Sequence, residues 1–506
     1  MASVHNIQLD AMKDKLENQM HILDCWDQLE PDQKASLLSQ IKEIDFDSVS
    51  AAFEKTKQIG VSKLDDDLEP PPQDVFGSYK DLTDNYDLRE EYRQTAFKSI
   101  HEGKFAILLL AGGQGTRLGV SYPKGMYDVN LPSKRSLYQL QAERLLGVCN
   151  LVKQKFKGDP FIPWYIMTSE HTKEQTEQFF RQHNYFGYNP LNIILFEQHT
   201  IPCLQFDGKI IMQSPAAIAR SPNGNGGLYK TLKDSGMLYD MKKRGIEYLQ
   251  TYCVDNILVK MADPIFLGFC ISRDLDCAAK TVEKQVPSEP IGVIAKQNSQ
   301  YKVVEYSEIS EETARKLVGG GMYSENGSQG DKLMYHCGNI CIHFMKVTFL
   351  DRVCQVDIET KLPYHVAKKK IPFYDSKAQE IISPTEPNGI KLEKFIFDVF
   401  PFSKNFGIWE VDKTEEFAPL KNPSTAKTDC PATCRQFQLQ LYKKWATKAG
   451  AKMSEDTVVD ISPVVSVDGE GLEFLNGATL DGVNQIVLAK NGAPEIVKIT
   501  DWKNQD

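Results

Sequence analysis

A chain of 506 residues, 41% hydrophobic and 25% charged, is long enough for about three domains and has ample apolar content for a large core. Its formal net charge of −9 argues against a broad nucleic-acid or anionic-membrane surface, so a polyanion must be met by a local cluster of Lys and Arg. No run approaches the roughly 18 apolar residues that span a bilayer, the N-terminus has no signal-peptide profile, and eleven cysteines, an odd number spread over a long chain, point to reduced thiols in the cytoplasm.

From about Ile7 to Thr56, apolar residues recur at three- and four-residue steps (Leu9, Met12, Leu16, Met20, Leu23, Trp26), and Pro31-Asp32-Gln33 opens a second helical run. Asp65-Asp66-Asp67 through Pro70-Pro71-Pro72 has the composition of an extended linker. The spacing thus predicts an N-terminal helical segment and linker over 1–99. β-rich runs then alternate with amphipathic helices: Ala106–Leu110, Ser136–Val148, Trp164–Thr168, Thr172–His183, Ile193–Phe196, Leu228–Lys243 and Tyr248–Val254. Such alternation predicts an α/β fold whose central, mostly parallel sheet binds ligands beyond the carboxyl ends of its strands. Gly292–Ala295 and Tyr301–Tyr306 read as antiparallel additions, and Gly319 through Ser328 as a mobile surface loop. After a catalytic domain over 100–409, Val458–Val467 and Ile486–Leu488 read as strands, with turn signals at Asp468-Gly469 and Asn491-Gly492. A small C-terminal β-rich domain over 410–506 is therefore expected.

The densest chemistry lies in Leu108 through Gly119, with Pro123-Lys124 just beyond: an apolar strand runs into a glycine-rich, cationic loop suited to a nucleoside triphosphate. Neither Gly103-Lys104 nor Gly208-Lys209 is followed by Ser or Thr, which rules out a P-loop. A dinucleotide fingerprint fails as well, because Leu118 occupies the third glycine position and Pro123 and Pro132 precede any helix. The remaining pattern, G-G-x-G-T-R-L-G followed by P-K, resembles the one used by nucleotidyltransferases that activate sugars.

Nine segments in order carry a specific resemblance: LLLAGGQGTRLG (108–119), YPKGMYDV (122–129), WYIMTS (164–169), PNGNGGLY (222–229), YCVDNILVK (252–260), VVEYSEIS (303–310), CGNI (337–340), NGIKLEKFIFD (388–398) and FAPLKN (417–422). The chain resembles the eukaryotic UDP-N-acetylhexosamine pyrophosphorylases. That resemblance implies a Rossmann-like nucleotidyltransferase sheet, with UTP and N-acetylglucosamine 1-phosphate giving UDP-N-acetylglucosamine and pyrophosphate by in-line attack on the α-phosphorus, assisted by Mg²⁺ or Mn²⁺. It implies that Leu110, Ala111, Gly112 and Gly113 lie against the nucleotide, and that Arg117, Lys124 and Lys421 serve catalysis by meeting triphosphate and leaving pyrophosphate. Gln198 is expected to bind uracil, and Gly224, Asp255 and Lys391 to bind nucleotide, with Asp255 also the metal ligand. Asn225, Gly292, Glu305, Tyr306, Gly338, Asn339 and Lys421 are expected at the sugar phosphate.

By residue chemistry alone, Asp255 ends an apolar strand and suits Mg²⁺, which takes one or two carboxylates plus substrate phosphates; a turn-capping aspartate fits the same position. Gly224 and Asn225 equally suit a tight turn before a helix. Cys337 precedes Gly338-Asn339 and is expected either to present a thiol near the sugar pocket or to be a buried, inert cysteine. Cys337/Cys341 and Cys430/Cys434 lack companion clusters, so no zinc site is expected. Transfer to N-acetylgalactosamine 1-phosphate or glucose 1-phosphate, and a non-catalytic sugar-nucleotide sensor, stay open. No nucleic-acid or membrane partner is expected, and the sequence leaves the oligomeric state open.

Overall fold

Eleven short segments, several of them uninterrupted apolar runs, form one sheet: β1 (Leu68–Glu69), β2 (Phe76–Ser78), β3 (Phe105–Leu110), β4 (Trp164–Thr168), β5 (Ile193–Glu197), β6 (Tyr248–Cys253), β7 (Cys277–Glu283), β8 (Val293–Gln297), β9 (Gln300–Val304), β10 (Cys337–Lys346) and β11 (Phe406–Val411). The computed structural model describes residues 4–10, 12–58, 67–324 and 332–504. The main path of the sheet runs β2–β11–β7–β10–β6–β3–β4–β5. Pairing is parallel from β6 through β5 and from β2 through β7. β10 alone on that path is antiparallel to both neighbours, and β8 and β9 add the expected hairpin at its side. A strand covered on both faces needs no alternation, which is why β3 reads FAILLL and is buried at every position.

The chain divides into two compact units. The sheet belongs to the one made of Leu64–Glu197, Leu232–Gln355 and Val399–Asp506. Its core joins Phe105, Ile107 and Leu109 of β3 to Tyr92 and Phe97 of α1 (Tyr86–His101), Tyr138 and Leu145 of α2 (Leu137–Lys155), and Phe266 and Phe269 of α3 (Pro264–Ser272). Ser136 caps α2 by accepting from the Gln139 backbone N–H. The expected linker contributes directly to the sheet, since Leu68 and Glu69 pair with Gln297 and Lys296; Asp65 and Asp66 lie outside the described residues. Near the C-terminus, Val458–Ile461, Val483–Leu488 and Pro494–Ile499 form a three-stranded sheet, with Gly492 at φ +80° turning the expected Asn491-Gly492 corner. A helix absent from the sequence reading, α4 (Pro431–Lys448), precedes it with proline in its first turn.

The other unit comprises Met1–Lys63, Gln198–Thr231 and Val356–Asp398. Helices Pro31–Glu43 and Phe46–Gln58 pack Leu37, Ile41, Phe46 and Phe53 with Leu204, Ile390 and Leu392. Leu9, Met12, Leu16 and Trp26 join this core, but Met20 is 45% exposed. Glu17–Leu23 is 3₁₀ in character but broken at Gln19, whose backbone is not helical (φ −106°, ψ 19°), and the break interrupts the three- and four-residue spacing directly before Met20.

The helix expected over Leu228–Lys243 is two helices, Leu228–Asp234 and Met237–Lys243, separated where Gly236 takes φ +75°. Gly319, Gly320 and Gly321 are exposed with positive φ, while Asn326, Gly327 and Ser328 lie outside the described residues. No helix among the described residues is long and apolar enough to cross a membrane.

Candidate active site

β3 and β6 run parallel with Leu110 paired to Cys253, so the glycine-rich loop and Asp255 leave the sheet side by side at one edge. Leu110 and Ala111 are buried and Gly113 is exposed. The next strand holds the loop: the Ala111 N–H donates to the Met167 carbonyl at 2.8 Å, and the Ser169 hydroxyl donates to the Gly112 carbonyl at 2.9 Å. A Cβ on Gly115 would lie 2.3 Å from Val120, so only glycine permits this fold-back. Arg117 sits exposed in the short turn Thr116–Leu118 and makes no ion pair among the described residues. Lys124 starts a second short turn, which packs closely on α2 because any side chain at Gly125 would collide with the Tyr138 ring, 2.2 Å away.

Lys124 and Asp255 meet there. The Lys124 ammonium lies 3.9 Å from a carboxylate oxygen of Asp255, with side chains 17% and 19% exposed. Lys421 reaches the same group through backbone pairing. The Leu420 N–H donates to the Asp255 carbonyl at 2.8 Å, and the N–H groups of Lys421 and Asn422 donate to the Asp429 carbonyl at 2.8 and 2.9 Å. Asp429 was not visible as a site residue in the sequence, because a lone aspartate in a polar loop carries no pattern. Burial raises its carboxyl, against the opposing fields of Lys421 and Lys413, while Asp255 adds to the rise. Burial likewise pushes up the Cys434 thiol, with Asp255 and Asp429 adding and Lys124 opposing. Two lysines and two aspartates therefore share one neighbourhood.

The expected sugar residues also come together. Gly292 precedes β8 and stands across the hairpin from Glu305, where a Cβ would come within 2.8 Å of the Glu305 carboxylate. The Asn339 N–H donates to the Gly292 carbonyl at 2.8 Å, and Gly338 pairs with Val293. Tyr306, in the turn after Glu305, is 53% exposed. The Asn339 side-chain oxygen accepts from the Cys341 N–H at 3.2 Å and faces His343 Nε2 at 3.1 Å. Burial pushes His343 down to about 3, so the ring is neutral and the Nε2–H tautomer donates to Asn339. The Asn339 amide reaches Cys341 Sγ at 3.7 Å. Cys341 in turn hydrogen-bonds Cys253, whose thiol is pushed well up by that bond, by burial and by Asp255. This links the sugar group to the Asp255 turn.

Cys337 is the buried one of its two expected states. It is 1% exposed, and burial drives its thiol upward, because its side chain packs inside the sheet one residue before the site. Cys253 and Cys341 are the partly exposed thiols here.

Gln198, Gly224, Asn225 and Lys391 fall in the other unit. There Thr200–Pro202 pairs with Arg220–Pro222, and the Asn223 N–H donates to the His199 carbonyl at 3.2 Å, so Gln198 and Gly224 each lie one residue beyond that contact. Gly224 has φ +67°, and a Cβ on it would lie 2.3 Å from the Lys394 carbonyl. The Asn225 side-chain oxygen is used locally, accepting from the Ile396 N–H at 2.9 Å. Lys391 lies on the strand Gly389–Glu393, with its charge felt by the buried Cys203 thiol.

Comparison with known proteins follows the same lines. The family described as UTP–glucose-1-phosphate uridylyltransferase matches residues 45–474. The chain is 45% identical over 472 residues, 88% of its length and 90% of the relative's, to the UDP-N-acetylhexosamine pyrophosphorylase-like protein 1 of Xenopus tropicalis. It is 41% identical over 482 residues, 93% of its length and 98% of the relative's, to the UDP-N-acetylglucosamine pyrophosphorylase of Saccharomyces cerevisiae. The crystal structure of the Trypanosoma brucei uridine diphosphate N-acetylglucosamine pyrophosphorylase with an inhibitor superimposes with a TM-score of 0.78 at 26% identity, covering 94% of this chain and 98% of that one.

Proposed function

Given that the chain belongs to the UDP-sugar pyrophosphorylase family, we propose that it transfers a uridylyl group from UTP to N-acetylglucosamine 1-phosphate. A phosphate oxygen of the sugar phosphate attacks the α-phosphorus in line, a new P–O bond forms, and the bond to the bridging oxygen breaks to release pyrophosphate. The observation that carries this reading is the convergence of Lys124, Asp255 and Lys421 beside the glycine loop at the carboxyl edge of β3 and β6. Two cations at an anion-accepting loop suit a reaction in which the protein's task is to position polyanions and stabilise spreading charge. Arg117, exposed in the turn of that loop, is available to grip two phosphate oxygens at once.

No group of three or more His, Cys, Asp or Glu among the described residues could hold a metal ion by itself. Asp255 alone fits Mg²⁺ or Mn²⁺ of the kind bound by one carboxylate with phosphate oxygens supplying the rest. Such an ion would neutralise triphosphate charge. Around the sugar, the Glu305 carboxylate and the second lone pair of the Gly292 carbonyl offer acceptors for hydroxyl and acetamido groups, with Tyr306 exposed beside them. The roles expected of Gln198, Gly224, Asn225 and Lys391 are proposals of the same kind, each tested by its own substitution. Eleven cysteines, none of them in a disulfide among the described residues, favour a reducing compartment such as the cytoplasm.

Release of pyrophosphate from UTP with N-acetylglucosamine 1-phosphate, N-acetylgalactosamine 1-phosphate and glucose 1-phosphate tests the reading. The first substrate is expected to give the highest kcat/KM. Binding of UTP and UDP-sugar without pyrophosphate release from any of the three would make the protein a sensor instead.

A further inference from the structure

Asn256 follows Asp255 directly and is 3% exposed. Its carboxamide is committed to backbone. The Nδ2 group donates to the Glu416 carbonyl at 2.7 Å, and Oδ1 accepts from the Ala418 N–H at 3.0 Å and the Leu258 N–H at 3.2 Å. Two flanking backbone bonds complete the contact: the Ile257 N–H donates to the Ala418 carbonyl at 3.2 Å, and the Leu420 N–H to the Asp255 carbonyl at 2.8 Å. Residues 416–420 therefore lie along 255–257 as a miniature pairing, with Lys421 the next residue along it.

The far end of this segment is bolted into the core. The Glu416 side chain is 1% exposed and takes a 2.5 Å hydrogen bond from Lys280, which is itself fully buried and also donates to Asp263 at 2.5 Å. Lys260 lies 3.5 Å from the second Glu416 oxygen, and the Tyr79 hydroxyl donates to Asp263 at 2.8 Å. Glu416 is thus fixed from its side chain and, through Asn256, from its carbonyl. A segment anchored at both levels has little freedom to move Lys421 relative to Asp255.

We infer that Asn256 is a positioning residue for uridylyl transfer: its carboxamide sets the placement of Lys421 against Asp255 by binding the backbone of the segment that carries the lysine. The inference rests on the proposed role of Lys421. A purely structural asparagine would satisfy the same backbone groups, but its loss would slow the enzyme independently of Lys421.

The experiment compares kcat and KM for pyrophosphate release in Asn256→Ala, Lys421→Ala and the double variant, with thermal melting as a control for folding. Asn256→Ala is expected to lower kcat about 100-fold, the order lost when a reacting group is displaced by about 1 Å, with KM for UTP within about threefold of wild type. In the Lys421→Ala background the same change is expected to cost no more than about twofold, since residues that act as a unit are not additive. Asn256→Ser keeps a hydroxyl able to donate and accept but too short to reach all three backbone groups; it is expected to fall about tenfold and to show the same non-additivity, and it carries the comparison if Asn256→Ala does not fold. Effects that multiply in the double variants, or full kcat in both single variants at Asn256, overturn the inference. Full turnover in Lys421→Ala would instead remove the transfer reading beneath it.

Discussion

His343 allows a quantitative test of the sheet's interior beside the candidate sugar site. Its ring is fully buried on β10, Nδ1 has no hydrogen-bond partner among the described residues, and Nε2 meets the Asn339 carboxamide. Burial lowers its pKa from the ordinary 6.5 to about 3, so the native state keeps the ring neutral while the unfolded chain protonates below 6.5. The sign follows directly: the contribution to stability is complete above pH 6.5 and is lost as the pH falls toward 3. Each pH unit in that window is worth about 1.4 kcal/mol, which makes the loss from pH 7.5 to pH 5.0 about 2 kcal/mol. His343→Gln keeps a donor for Asn339 but does not titrate. Denaturant unfolding of both proteins at pH 7.5 and 5.0 should show wild type losing about 2 kcal/mol more than the variant. Resonances of labelled His343 should stay at their neutral positions across the same range. Equal losses in the two proteins, or native-state titration near 6.5, would refute the reasoning.

Replacing either lysine of the candidate centre should leave the fold intact and slow transfer: Lys124→Ala and Lys421→Ala are each expected to lose up to about three orders of magnitude in kcat, by analogy with single stabilising donors, and near-wild-type rates in both would cancel their assignment. In Gly292→Ala the new methyl group meets the Glu305 carboxylate at 2.8 Å, so KM for the sugar phosphate should rise about tenfold or more while KM for UTP holds, read from initial rates with each substrate varied. Gly224→Ala combines a left-handed backbone with a 2.3 Å approach to the Lys394 carbonyl; a loss of about 2 kcal/mol or more is expected in unfolding measurements. Thiol labelling of the native protein should modify the partly exposed Cys341 well before Cys337, which is buried inside the sheet, and peptide mapping reads the order.

Local pattern made much of the central sheet legible. Trp164–Thr168 and Tyr248–Cys253 are apolar runs bounded by turn residues, and the structure makes them strands within a residue of their expected limits. The glycine loop was equally plain, since Gly112 through Gly119 holds four glycines beside two cationic residues, Arg117 and Lys124. Non-local facts were not readable. β10 lies antiparallel between two strands distant in sequence, and nothing in CGNICIHFMK states a direction. Lys280, Asp263 and Glu416 look like ordinary surface charges until the fold buries all three together. Helix α4 was hidden because a polar run containing Lys443, Lys444 and Lys448 lacks a clean apolar stripe, and its proline signals a helix start only in retrospect. Asn256 illustrates the limit most clearly, as its function depends on a segment 160 residues away that it touches through backbone groups alone.

The most direct test of the central claim is pyrophosphate release by the purified chain supplied with UTP, N-acetylglucosamine 1-phosphate and Mg²⁺, set beside Lys124→Ala under the same conditions. The account predicts stoichiometric formation of pyrophosphate and UDP-N-acetylglucosamine by the wild-type protein and a rate lower by orders of magnitude in the variant. A folded wild-type protein that binds UTP yet forms neither product would contradict it.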